Sequence, residues 1–193
     1  MKAIILGFSI TAALLTACGN DNTASKETIE TNSDTATTNT QTDNTASAQP
    51  ASVDEVVTSY IQLKNALAND NGNDAAGAGK QISEAMTKLD AASFSADQKK
   101  VYDEVKADIK EHSEHISDNG GKIAHQREHF EMLSKDMYDL VKVSKPSQTL
   151  YLDHCPMYND NKGANWLSEV KEIKNPYLGK KMPDCGTVKE EIK

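Results

Sequence analysis

Residues 95–146 read SADQKKVYDEVKADIKEHSEHISDNGGKIAHQREHFEMLSKDMYDLVKVSKP, and this stretch decides the fold. Ser95-Ala96-Asp97-Gln98 is a capping box, in which the hydroxyl accepts the N–H three residues on and the amide reaches back. Val101, Tyr102, Val105, Ile109 and Ile116 then recur at helical spacing. Asp118-Asn119-Gly120-Gly121 breaks the chain in a tight turn. Beyond it Ile123, Phe130, Leu133, Met137, Leu140 and Val141 mark a second helix to about Val143, and Pro146 stops it. Two amphipathic helices separated by so short a turn fold back on each other.

Towards the N-terminus the same signals occur twice more. Ser52-Val53-Asp54-Glu55 is a capping box ahead of Val53, Val56, Val57, Tyr60, Ile61, Lys64 and Leu67. Asn69 to Asn73 ends that helix, and Asp74 is the expected cap of the next, which carries Ala75, Ala78, Ile82, Ala85, Met86 and Leu89. Four amphipathic helices with short connections predict a mainly α fold. The expected architecture is an antiparallel four-helix bundle over the domain 53–193, with a small loop-rich C-terminal motif packed on it.

Earlier still the chain changes character. Lys2 precedes an apolar run from Ala3 to Leu15, and small residues lead to Cys18, the pattern of a secretory signal peptide over 1–17. Leu15-Thr16-Ala17-Cys18 resembles the lipobox of bacterial lipoproteins. That resemblance implies acylation of Cys18 and anchoring to a lipid bilayer, because two or more acyl chains suffice for stable attachment. Gly19 offers no inner-membrane retention signal, so the expected location is the cell envelope, at the outer membrane facing the periplasm. Residues 18–52 are mostly Asn, Asp, Thr, Ser and Ala, with Ile29 their one large apolar side chain. Such a segment buries too little to offset chain entropy and is expected to be a disordered tether, with a mean span of about 30 Å.

From about residue 147 the C-terminal motif begins. Thr149 to Leu152 is β-like, and Pro, Gly and Asn set turns among aromatic residues that include Trp166 and Tyr177. Those two aromatics are expected to pack the motif on an end of the bundle. With Cys18 acylated, Cys155 and Cys185 remain in an oxidising compartment, where a disulfide between them would staple a small unit. The same cysteines also belong to a sulfur set. Cys155 and Met157 lie two apart across Pro156, so an extended segment sends both to one face, and Met182 and Cys185 lie three apart across Pro183. Thiolate and thioether donors are soft and select copper(I), with Ag(I) as a mimic. A disulfide sulfur is not a thiolate, so the two readings exclude each other at any one moment.

Cys155-Pro156-Met157, Lys162-Gly163-Ala164-Asn165-Trp166-Leu167-Ser168, Glu172 to Gly179, and Met182-x-x-Cys185-Gly186 together resemble a bacterial family, the domain of unknown function thirty-three forty-seven. Gln126-Arg127, Phe130, Leu133-Ser134 and His115-Ile116 fit it too, and the resemblance spans about Val53 to Ile192. It implies an α-helical domain of periplasmic lipoproteins, related to a domain attached to copper/silver efflux adaptor subunits. A heavy-metal efflux system is the implied partner.

A second metal candidate lies in the helices. His112 and His115 are three apart, and His125 and His129 four apart, so each pair shares a helix side. A hairpin about Gly120-Gly121 sets the pairs at similar height and forms a nitrogen-rich site suited to Zn²⁺ or Cu²⁺. At about 100° per residue, however, the pairs diverge from each other. The expectation is one partly buried histidine and three on helix flanks.

Composition narrows the function. The 193 residues hold 29 acidic against 21 basic side chains, a formal charge of −8, which argues against nucleic-acid binding. The sequence has no phosphate loop, His-Glu-x-x-His or Gly-x-Ser-x-Gly motif, so no enzyme is expected. The two remaining readings are a metal-binding or metal-delivery lipoprotein and a non-catalytic structural or interaction module.

Overall fold

A computed structural model describes residues 51–193. The expected signal peptide, Cys18 and all but the last two residues of the expected tether lie outside the described residues. Among the described residues, no helix is long and apolar enough to cross a membrane.

The helices form where the sequence signals them. Helix α1 (Val53–Ala68) starts with the Ser52 hydroxyl accepting from Glu55 N–H at 3.3 Å. Helix α3 (Ala96–Asp118) has the full reciprocal box between Ser95 and Gln98. Helix α4 (Ile123–Ser144) ends on Lys145 in the left-handed region, and Pro146 then prevents continuation. Helix α2 (Gly72–Lys88) begins earlier than expected. Its cap is Asn71 rather than Asp74, whose own N–H donates to Asn71 Oδ1 at 3.1 Å while its carboxylate accepts from Asn71 Nδ2 at 2.6 Å. Gly72 and Asn73 join the helix once that reciprocal pair is in place.

Consecutive helices run antiparallel. Ala51 N–H donates to Lys88 O at 3.2 Å, and Ser83 Oγ to Glu114 Oε1 at 3.1 Å. Gln98 Nε2 reaches Val143 O at one end of the α3–α4 pair, and Gln126 Nε2 reaches Ile116 O at the other. Helix α1 closes on α4 through Tyr60, which meets Ser134 at 2.7 Å and stacks on Phe130 at 5.3 Å. Helices α2 and α3 touch at Gly79, where an added Cβ would lie 2.8 Å from Ser113 O.

The C-terminal motif holds more regular structure than expected. Strands β1 (Leu150–Cys155), β2 (Ala164–Ser168) and β3 (Thr187–Ile192) form an antiparallel sheet in the order β2–β1–β3. Only β1 has a recognisable β signal; β3 is half charged, and pairing with β1 supplies its order. Asn159, Asp160 and Asn161 all take positive φ in the β1–β2 turn, a conformation their short polar side chains tolerate.

The motif lies along the α1–α4 side, not on an end. Near the start of α4, Arg127 donates to Pro176 O at 2.7 Å and Leu67 O at 2.8 Å, and pairs with Asp70. Near its finish, Tyr138 donates to Glu190 at 2.7 Å and Lys142 pairs with the same carboxylate. Those anchors are about 20 Å apart along the helix. The reason is the aromatic row between them. Tyr177 packs on Phe130 at 5.5 Å and on Trp166 at 5.9 Å, and all three rings are buried, which requires a helix flank rather than a helix end.

Candidate metal centre

The antiparallel α3–α4 pair brings all four helical histidines together. His112 Nδ1 lies 3.2 Å from His129 Nδ1. The His115 and His129 rings stack at 4.4 Å, and the His125 ring meets His129 edge-on at 4.6 Å. Among the described residues, His115, His125 and His129 each offer one nitrogen within 4.8 Å of the other two. The histidines lie on helix flanks, three of them partly buried, but the two pairs converge where divergence was expected. Angles taken from each helix's core stripe miss the point, because the flanks of neighbouring antiparallel helices face each other across their groove.

The surroundings favour a neutral ring at the centre. Burial holds the His129 imidazole below the usual histidine range, and His115, His125 and His112 add to the effect. Glu128 sits 3.2 Å from His125 Nδ1, and Glu111 sits 3.9 Å from His115 Nε2. Beneath His112, burial and the Asp108 charge push the Asp136 carboxyl up, against the pull of His112. Sequence reasoning missed these carboxylates, although Asp108 lies four residues before His112 and Asp136 seven after His129, spacings that share a helix face.

Chemically, three neutral imidazoles suit a borderline divalent ion. A tetrahedral ion with Zn–N bonds of 2.0–2.1 Å holds its ligands about 3.3 Å apart. The three nitrogens would have to draw in from their present spread, and His115 and His125 have room, with side chains 48% and 40% exposed. With an ion bound, His112 would be placed either to add a fourth nitrogen or to orient His129.

The sulfur set is brought together in part. Cys155 Sγ and Cys185 Sγ lie 2.9 Å apart, both as free thiols. Burial pushes the Cys155 thiol up, but Cys185, the N–H groups of Met157 and Tyr158 and the Asn175 side chain outweigh it and leave the thiol below its usual range. Burial and the neighbouring Cys155 raise Cys185 to about 11. Met157 is half exposed and Met182 partly buried. His154 turns to Asn165 across the sheet, its Nδ1 2.8 Å from Asn165 Oδ1.

A third cluster went unnoticed in the sequence. Lys64 has no exposed surface and faces Glu169 at 2.8 Å, off the hydrogen-bond direction, so the contact is an ion pair rather than an aligned bond. Burial raises Glu169, yet Asn65 and Lys64 together bring it below the usual carboxylate range. Asp153, opposite Trp166 in the sheet, is fully buried, and neither carboxylate oxygen has a hydrogen-bond partner. Burial pushes its carboxyl up to about 7 despite the Lys64 charge. A lysine at an apolar helix position was the available signal for this cluster.

Residues 56–149 match a family model described as Protein of unknown function (DUF3347). The matched span contains the four histidines and ends before β1, so the Cys/Met motif lies outside it. No curated protein and no solved structure matches the chain.

Proposed function

We propose that this chain is a non-enzymatic, lipid-anchored protein of the bacterial cell envelope that binds a transition-metal ion on the α3–α4 histidine cluster. The carrying observation is the set of three imidazole nitrogens within 4.8 Å, with His112 against His129. The four helices act as an antiparallel four-helix bundle whose rigid α3–α4 pair holds the rings in place. Imidazole donors suit Zn²⁺ and Cu²⁺, and the surrounding carboxylates offset the ion's charge. Acylation at Cys18 would hold the domain at the membrane, and the reading fits metal binding or delivery beside a heavy-metal efflux system.

The test is calorimetric titration of the full-length protein with Zn²⁺ and Cu²⁺, beside a His115→Ala/His129→Ala variant. One ion per chain with at least tenfold weaker binding in the variant supports the reading. Equal binding by both proteins sinks it.

The sulfur reading has its own observation, the close cysteine pair with a depressed Cys155 thiol. Under that reading Cys155 and Cys185 hold copper(I), with Met157 and Met182 as thioether donors. Cu(I) competition against a chelator, with a Cys155→Ser/Cys185→Ser variant, tests it separately.

A further inference from the structure

We propose that Cys155 and Cys185 form a thiol–disulfide exchange site in which Cys185 is the sulfur attacked from solvent and Cys155 is the leaving sulfur. The site is independent of the histidine cluster. The sulfurs are 2.9 Å apart, and an S–S bond of about 2.05 Å needs only a small further approach.

Direction comes from the asymmetry of the pair. Cys155 ends β1 and has no exposed surface, whereas Cys185 is partly exposed in the loop between Pro183 and Gly186. A reagent from solvent therefore meets Cys185. Against the effect of burial, Cys185, the N–H groups of Met157 and Tyr158 and the Asn175 side chain hold the Cys155 thiol below its usual range. Asn175 is itself held rigid. Its Oδ1 accepts from Tyr177 N–H at 2.8 Å and Leu178 N–H at 2.9 Å, and its Nδ2 donates to Cys185 O at 2.6 Å. Negative charge arriving on Cys155 is therefore stabilised on the spot. A thiol that is stabilised as thiolate leaves faster in exchange.

The step balances with a dithiol as reductant. One external thiolate attacks Cys185 Sγ, the S–S bond breaks, and its electron pair leaves on Cys155. The mixed disulfide on Cys185 is resolved by the second external sulfur. That attack releases Cys185, which takes a proton from water. Two electrons pass to the protein, and the dithiol becomes its own disulfide. Run in reverse, an external disulfide oxidises the pair. The partner class is a compact dithiol, free or carried on a protein.

Full-length protein is first treated with excess oxidised dithiothreitol, which is expected to remove two hydrogens and leave no alkylatable Cys155 or Cys185. Glutathione is then added, the mixture is quenched in acid, and the mixed disulfide is located by peptide mass. At least tenfold more adduct on Cys185 than on Cys155 is expected. Adduct on Cys155, an even split, or persistence of both free thiols after oxidation would overturn the proposal. Asn175→Ser is expected to slow reduction about threefold to tenfold with the adduct still on Cys185. An unchanged rate removes Asn175 from the cradle and overturns its part in the mechanism.

Discussion

Helix α4 serves two interfaces made of opposite materials. Against the C-terminal motif it presents Arg127, Phe130 and Tyr138, which find a carbonyl, a ring and a carboxylate as partners. Against α3, at the turn end, it presents His125 and His129, whose neighbours are two further imidazoles. The first interface is what a packed fold requires: apolar area buried and polar groups satisfied. The second is not. Four like rings that repel when charged add little buried apolar area, and it is on this local departure from packing that the proposed metal site rests.

The contrast breaks most easily at the motif. Trp166→Ala empties a fully buried site against Tyr177 and is expected to cost about 3–5 kcal/mol, measured by urea unfolding. Arg127→Ala removes the donors to Pro176 O and Leu67 O and the partner of Asp70. A loss of about 2–3 kcal/mol is expected from the same measurement, since charged hydrogen bonds carry about that much.

Asp153→Asn sharpens the comparison through pH. The Asp153 carboxyl sits at about 7 in the fold and near 3.8 unfolded, so the native state holds its proton more tightly. Stability from this group is full below about pH 4 and is lost as pH rises to about 7, with a ceiling of about 4 kcal/mol. The unfolding free energy of the wild type minus that of the Asp153→Asn variant is expected to fall over that window and to be flat above it. A difference that is flat from pH 4 to 8 refutes the assignment.

The smallest effect is expected at the histidines. His115→Ala/His129→Ala is expected to change metal-free stability by less than about 1 kcal/mol, because His115 is half exposed and the rings repel. Zn²⁺ is expected to raise the melting temperature of the wild type and not that of this variant. A large metal-free loss would place the rings among the packing groups and erase the distinction between the two faces of α4.

What the sequence made legible follows the range of the forces involved. The helices were readable because capping and apolar periodicity act within a few residues, as at Ser95–Gln98. Strands β2 and β3 were not, since Ala164–Ser168 and Thr187–Ile192 gain their order from β1. The histidine spacing was visible, but its convergence depends on how α3 and α4 turn about their axes, a tertiary property. Arg127 reaches Pro176 O, 49 residues further along the chain, a partner that no local pattern names. Lys64 at an apolar helix position was a visible signal, but its neighbours Glu169 and Asp153 were not, because β2 must first lay the following segment against α1.

Lys64 has one more consequence. Its ammonium has no exposed surface because Glu169 and the chain after β2 close over it, whereas most other lysines, such as Lys80 and Lys171, stand in solvent. An amine-acylating reagent can therefore reach Lys64 only when the C-terminal segment lifts from α1. Its slow labelling, timed against the fast labelling of Lys80 in the same molecule, makes a single native lysine a clock for how often that segment opens.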